Sequence, residues 1–282
     1  MDPCPIELGD FRLYPISDGE FRLDGGAMFG VVPKALWERR TPPDEANRIT
    51  LGLNALLVCR GDEKLLIDTG IGDKWDPKLA EIYAIRHTHR LLDRLAAVGV
   101  APEDVTKVVF THLHFDHAGG ATRLDESGRP VPTFPRARCF VQRGEWEYAM
   151  SGNPRSRASY FPENYEPLRE RGMIEWLEGD SIVIPGLRTH VTGGHTRYHQ
   201  IVTLGEEGRS AVYWGDLVPT TAHLDFPFIM GYDLFPLDTL ASKTQWIPRA
   251  EAEGMLSFWE HDPAVPLGRI GRDGKRFVVK PA

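Results

Sequence analysis

The run His112-Leu113-His114-Phe115-Asp116-His117 stands directly behind the short apolar stretch Val108-Val109-Phe110. Three imidazoles and a carboxylate are costly to bury without partners and are good ligands for a divalent cation, so the segment reads as a metal-binding loop. Its place at the end of an expected strand fits that reading, because a rigid element holds the ligands while the loop beyond shapes a site. Alternation along an extended chain puts His112 and His114 on one side and lets Asp116 and His117 turn toward a neighbouring point, so one loop can serve two metals. Gly119 and Gly120 are expected to let the backbone turn sharply behind the ligands.

Three later positions repeat this arrangement. His195 follows Thr192-Gly193-Gly194 after an apolar stretch from Leu187, Asp216 follows Val212-Tyr213-Trp214-Gly215, and His261 follows Leu256 to Glu260. Strand ends on one edge of a sandwich can converge although they are distant in sequence, and five histidines and two aspartates would then surround two cations. Each later residue is ordinary alone: a single histidine is more often core or surface, and Gly-Asp is a common turn dipeptide. Their weight comes from the series. His87, His89, His190 and His199 read as structural or surface residues, whereas His223 follows Asp216 closely enough to reach a substrate.

Apolar patterning supplies a frame for these loops. Phe11 to Ile16 reads as a strand, and Asn54–Cys59 with Lys64–Asp68 as a hairpin around Gly61 and Asp62. Leu91, Leu92, Leu95 and Val98 share one face of a helix stopped by Gly99, and Pro102 opens a short turn or helix. Val108–Phe110 and Arg138–Gln142 are expected strands, with a short helix over Glu145–Met150. The polar segment 151–171 has no clean period and is expected to be a long excursion over the fold, or a lid. The second half offers strands at Ile182–Ile184, Leu187–Thr192, Gln200–Leu204 and Ala211–Trp214, a helix from about Leu240 to Glu253 interrupted by Pro248, and strands at Met255–Trp259 and Phe277–Val279. Strands first and helices between them, twice over, suggest two sheets face to face with helices outside.

Composition narrows the partners. A net charge of −7 without a long basic run argues against nucleic acid. Cys4, Cys59 and Cys139 are far apart and form no Cys-x-x-Cys pair, which argues against a disulfide framework or thiolate cluster and fits a cytoplasmic setting. No signal-like start or membrane-length apolar segment is expected to engage a membrane.

With the strand ending in Asp68, the motif His112-x-His114-x-Asp116-His117, Gly194-His195-Thr196, Gly215-Asp216 and Ser257 to His261, most of the chain resembles the metallo-β-lactamase superfamily. The resemblance implies an α/β fold, a four-layer αββα sandwich forming a single domain over 1–282. It implies one metal on His112, His114 and His195, another on Asp116, His117 and His261, and Asp216 bridging both. Asp68 would orient ligating imidazoles by hydrogen bonding. Within the superfamily the chain is most similar to the branch holding N-acyl homoserine lactonases and methyl parathion hydrolase. Asp216 departs from true β-lactamases, which lack the bridging aspartate. The lactonases carry a substrate-facing tyrosine shortly after that aspartate, whereas Leu217-Val218-Pro219 follows here.

Two cations sharing a carboxylate, typically about 3.5–4 Å apart, can share a water and lower its pKa from about 15.7 toward about 7. A bridging hydroxide would be the nucleophile, and Asp116 would orient it or relay its proton to the leaving group. Nitrogen and oxygen donors without thiolate suit zinc, with iron, manganese or cobalt as alternatives. Phe29, Trp37, His223, Phe226 and Phe228 are the expected substrate pocket for an uncharged or hydrophobic small molecule, core burial being the competing account. The expected activity is hydrolysis of a carboxylic ester, lactone or related small molecule. Phosphotriester hydrolysis, or an iron-loaded redox or oxygen-handling role on the same scaffold, are the alternatives. By analogy only, a homodimer would form if the loop near Phe29 and Trp37 crossed to another subunit.

Overall fold

The computed structural model describes residues 5–86, 90–206 and 208–281. Cys4, His87 and His89 lie outside the described residues. Fourteen strands form two seven-stranded sheets. The first takes β1 (Ile6–Leu8), β2 (Phe11–Asp24), β3 (Arg48–Arg60), β4 (Glu63–Ile67) and β5 (Lys107–Val109) in order. After a ribbon of β6 (Thr122–Leu124) and β7 (Pro130–Pro132), it closes with β8 (Arg138–Gln142) and β9 (Ile174–Leu177). The second runs β10 (Ser181–Ile184), β11 (Leu187–Val191), β12 (Gln200–Glu206), β13 (Arg209–Tyr213), β14 (Leu256–Phe258), β15 (Leu267–Asp273) and β16 (Arg276–Lys280). Pairs among β4, β5, β8 and β9 are parallel, as is β13 with β14; the other neighbours are antiparallel.

The inner faces meet in one apolar layer. Leu13, Leu56, Val58, Leu65, Ile67 and Val109 of the first sheet pack on Leu187, Val202, Leu204, Tyr213, Leu256 and Phe258 of the second. The helices are α1 (Gly25–Phe29), α2 (Lys34–Trp37), α3 (Pro77–Ile82), α4 (Leu91–Ala97), α5 (Phe115–Ala118), α6 (Arg143–Met150), α7 (Glu166–Glu170) and α8 (Pro236–Ala252). Leu91 and Leu95 of α4 and Trp146 of α6 cover the outer face of the first sheet through Leu57, Leu66 and Val108. Trp246 and Ile247 of α8 cover Ile201, Val212 and Ile270 on the outer face of the second. The order helix, sheet, sheet, helix is the expected αββα sandwich. No helix among the described residues is long and apolar enough to cross a membrane.

Several local expectations change. The strand expected over Phe11–Ile16 continues to Asp24 through a register shift between Ser17 and Glu20, because Phe21 and Leu23 resume the buried pattern after Pro15 and Gly19 interrupt it. The helix expected to break at Pro248 continues as α8. An interior proline costs about 3 kcal/mol, and burial of Trp246 and Ile247, about 1.5–3 kcal/mol each, offsets it. Strands β9 and β15 had no clear pattern, and Gly25–Phe29 is a short helix capped by Asp24. Segment 151–171 holds two short 3₁₀ turns, Arg157–Ser159 and Pro162–Asn164, before α7.

Candidate metal centre

Every expected ligand follows the C-terminal end of a strand on one edge of the sandwich. His112 and His114 extend beyond β5, Asp116 and His117 occupy α5, and His195, Asp216 and His261 follow β11, β13 and β14. Asp68 follows β4. Gly119 and Gly120 form the expected tight turn, a 3₁₀ turn over Gly119–Ala121, and also allow close approach. A Cβ on Gly119 would stand 2.1 Å from the Ile71 carbonyl oxygen, and one on Gly120 2.2 Å from that of Thr69. Only glycine lets the chain leaving α5 lie against the loop that follows Asp68.

The side chains form two adjoining groups of buried donors: His112, His114, His195 and Asp216, and Asp116, His117 and His261. Asp216 faces both. Its Oδ2 lies 3.1 Å from His195 Nε2 and 3.9 Å from His112 Nε2, and its Oδ1 lies 3.2 Å from His261 Nε2 and 3.6 Å from His117 Nε2. His114 presents Nδ1 at 2.9 Å from His195 Nε2, and Asp116 Oδ2 is 3.5 Å from His261 Nε2. Donors about 2.0–2.1 Å from a tetrahedral zinc stand about 3.3 Å apart, so these spacings are those of atoms converging on a cation. His112 Nε2 and Asp216 Oδ1 are buried without a hydrogen-bond partner, a costly condition that a cation relieves. The residues therefore fit divalent metal.

Partners on the far nitrogens fix the rings. His195 Nδ1 donates to Asp233 Oδ1 at 2.9 Å, and His261 Nδ1 donates to the Gly52 carbonyl at 2.9 Å. His117 Nδ1 stands 2.7 Å from Glu260 Oε2 and 3.0 Å from Asp68 Oδ2. Asp68 also accepts the Thr111 N–H and hydroxyl, each at 2.7 Å, locking the start of the ligand loop. His199 accepts the Asp216 N–H on Nε2 at 3.0 Å while Nδ1 meets the Thr192 hydroxyl at 2.7 Å, a structural role as expected. His190 is likewise engaged by Asp180 and Thr203. Asp233, Glu260 and the buried Glu145 had no signal in the sequence beyond being acidic; Glu260 alone adjoined a candidate ligand.

Electrostatics divide the histidines. Burial, with the neighbouring imidazoles, holds His112 and His114 well below the usual imidazole range, so both are neutral donors. Burial acts the same way on His117 and His261, yet carboxylates outweigh it. Glu260, Asp216 and Asp116 raise His117, and Asp216, Glu260 and Asp116 hold His261 up to about 9. Asp216 stays well below the usual carboxylate range because His195, His117 and His261 outweigh its burial. Such a concentration of carboxylates calls for positive charge, and metal competes with protons for it.

The sequence model of the metallo-beta-lactamase superfamily matches residues 49–256. The chain belongs to the metallo-beta-lactamase superfamily. An N-acyl homoserine lactonase of Bacillus cereus is 29% identical over 206 residues, covering 70% of this chain and 71% of its own length. Two other Bacillus lactonases align over 40% and 42% of their own length. A structure described as a probable metal-dependent hydrolase from Staphylococcus aureus superposes with a TM-score of 0.89 at 30% identity, covering 98% of this chain and 99% of that one. AidC, described as a dizinc quorum-quenching lactonase, shares the fold with a TM-score of 0.79 at 20% identity over 99% of this chain and 97% of its own. The protein is thus a hydrolase of this superfamily with lactonase relatives.

A cavity of about 230 Å³ opens over the donors of this superfamily member. His114, Asp116, His195, Asp216 and His261 form its floor, and Leu23, Met28, Leu51, Phe115, Met230 and Leu234 its apolar walls. Tyr83, Tyr232 and Arg155 add polar atoms. Phe29, Trp37, His223, Phe226 and Phe228, the expected pocket, do not line it. Phe29 is sandwiched between Trp37, at 5.2 Å, and His223, at 4.6 Å, inside this chain. His223 also donates from Nε2 to the Met28 carbonyl, and burial pushes its pKa down to about 3, so it is a neutral core residue. Phe228 packs against Phe29, and Phe226 against Phe277. Their rings satisfy the core, while neighbours in the same segments, Met28 and Met230, face the cavity.

Proposed function

We propose that this chain hydrolyses a carboxylic ester or lactone with two divalent cations, zinc before iron, manganese or cobalt. The observation that carries the reading is Asp216, whose two oxygens face separate groups of donors. When bound, the cations would supply Lewis acidity and nucleophilic water near neutral pH. His112, His114 and His195 would hold one and Asp116, His117 and His261 the other, with Asp216 between them.

The residues do the rest. Asp116 lines the cavity floor and is anchored on α5, so it can take a proton from the nucleophile and return it to the leaving alkoxide. The apolar walls exclude water and favour an uncharged small molecule with an apolar arm. The names of the lactonase relatives support a lactone. The whole chain serves as one domain, with segment 151–171 as its cover: Arg155, Ser156, Ala158 and Ser159 line the cavity, and Arg155 reaches the Gly231 carbonyl at 2.9 Å.

The test is metal analysis with an activity screen across lactones, aryl esters, thioesters, phosphotriesters and β-lactams. Two cations per chain and hydrolysis of lactones or esters are expected, with a loss of about 10²–10⁴-fold in Asp116→Ala. Iron with a visible absorption band and no ester hydrolysis, or full activity in Asp116→Ala, would sink the proposal.

A further inference from the structure

Glu145 is a fully buried carboxylate on α6 that belongs to neither group of donors. It accepts from the Leu113 N–H at 3.2 Å, the Tyr160 hydroxyl at 2.8 Å and the Thr196 hydroxyl at 2.7 Å. Each donor has a position of consequence. Leu113 lies between His112 and His114, and Thr196 follows His195. Tyr160 sets its ring edge-on to His114, with centroids 4.6 Å apart, and follows Ala158 and Ser159 of the cavity wall. One carboxylate thus ties together the two backbone segments that carry the three histidines and the segment covering them.

The bonds also bear on its charge. All three partners can donate, which favours an ionised carboxylate against the burial that pushes Glu145 up, and no Lys or Arg forms an ion pair with it among the described residues. A buried anion of this kind costs several kcal/mol unless a positive charge lies nearby. The two halves of the centre differ in what they offer. The half built on His117 and His261 has Asp116 as a donor and Asp68 and Glu260 behind it. The half built on His112, His114 and His195 has three imidazoles, a share of Asp216, and Asp233 behind His195.

We propose that Glu145 is the positioning residue and counter-charge of the three-histidine half, setting the spacing of His112, His114 and His195 and selectively strengthening the cation held there. This rests on the proposal that the chain holds two cations. Glu145 touches neither cation nor substrate. It acts through the Leu113 N–H and Thr196 hydroxyl, and through Tyr160 it links occupancy of that half to the wall formed by segment 151–171.

The experiment is a Zn²⁺ titration against a chromophoric chelator, read as two binding steps, with no activity measurement needed. Glu145→Gln keeps the shape and removes the charge; it should weaken one step by about 10–100-fold, the range for partners of ligating residues, and leave the other unchanged. Added to His261→Ala, which cripples the other half, Glu145→Gln should weaken the remaining cation by the same factor. Thr196→Val, which withdraws one donor, should weaken the same step less, and it carries the test if Glu145→Gln does not fold. Equal weakening of both steps, no weakening of either, or loss confined to the step that His261→Ala removes would overturn the assignment. Fewer than two steps in the unaltered chain would instead refute the two-cation reading, which separates the two failures.

Discussion

His117 Nδ1 carries one proton and has two buried carboxylates to receive it, Glu260 at 2.7 Å and Asp68 at 3.0 Å. While either accepts, His117 keeps the tautomer that leaves Nε2 free for a cation. Losing one partner should therefore cost little more than about tenfold in the affinity of the cation on that half, about 1.4 kcal/mol. Losing both leaves only the Thr111 hydroxyl, 3.3 Å from Nδ1, to hold the ring, so the double change should cost more than the sum. The variants are Asp68→Ala and Glu260→Leu; in the latter Tyr213 keeps the Asn54 carbonyl at 2.9 Å as its partner. Asp68→Ala leaves the Thr111 N–H unpaired at about 1–3 kcal/mol, within a fold stability of about 5–15 kcal/mol, so the protein should remain folded at 25 °C. Chelator competition on the four proteins of the cycle yields the coupling energy, expected at about 1–3 kcal/mol for side chains sharing one partner. Additivity within about 0.5 kcal/mol would refute the reasoning. A single change as costly as the double would refute it too, since one carboxylate would then hold the tautomer alone.

Two further outcomes follow from packing and charge. Gly194 has φ +88°, and an added Cβ would stand 2.3 Å from Thr239 Oγ1 and 2.7 Å from Thr239 N. Gly194→Ala should cost about 1–2 kcal/mol of backbone strain and about 1–3 kcal/mol of overlap, read as a lower urea midpoint, and a loss under about 1 kcal/mol would contradict the structure. Lys243 is buried and donates to the Asp225 and Phe228 carbonyls; burial lowers its pKa to about 7 despite Asp233 and Asp225. A depressed pKa means the unfolded chain binds more protons between about 7 and 10.5, so the contribution of Lys243 is lost as pH falls through about 7 and complete above about 10.5. The stability difference between the unaltered protein and Lys243→Met should thus grow from pH 7 to pH 10; a constant difference would show that Lys243 keeps its ordinary pKa.

The layers of the fold were legible because their signals are repetitive. Val108–Phe110 and Ala211–Trp214 carry unbroken apolar runs, as burial on both faces requires, while Leu187–Val191 alternates buried Leu187 and Thr189 with the exposed Arg188. Where local chemistry interrupts the run, as at Pro15 and Gly19 in β2 or Pro248 in α8, tertiary packing decides the outcome and the pattern misleads. The strand β15, with Arg269 and Arg272 between glycines, has too little apolar contrast to register at all.

The site divides along the same line. His112 to His117 stood out because four expensive side chains in six positions have no cheap structural account. Glu145, Asp233 and Glu260 are single carboxylates whose surroundings in sequence resemble an ordinary solvated helix or turn. Only the convergence of β5, β11, β13 and β14 at one edge turns them into buried partners of Leu113, His195 and His117. The expected pocket residues and the cavity lining differ for another reason. The hydrophobic effect rewards removal of Phe29 or Phe228 from water equally whether a core or a ligand covers the ring, so apolarity alone cannot separate wall from core. Polar neighbours break that tie: His223 is satisfied by Thr220 and Met28, which marks its stack with Phe29 as finished packing, whereas the floor beside Met28 and Met230 keeps unpaired donors.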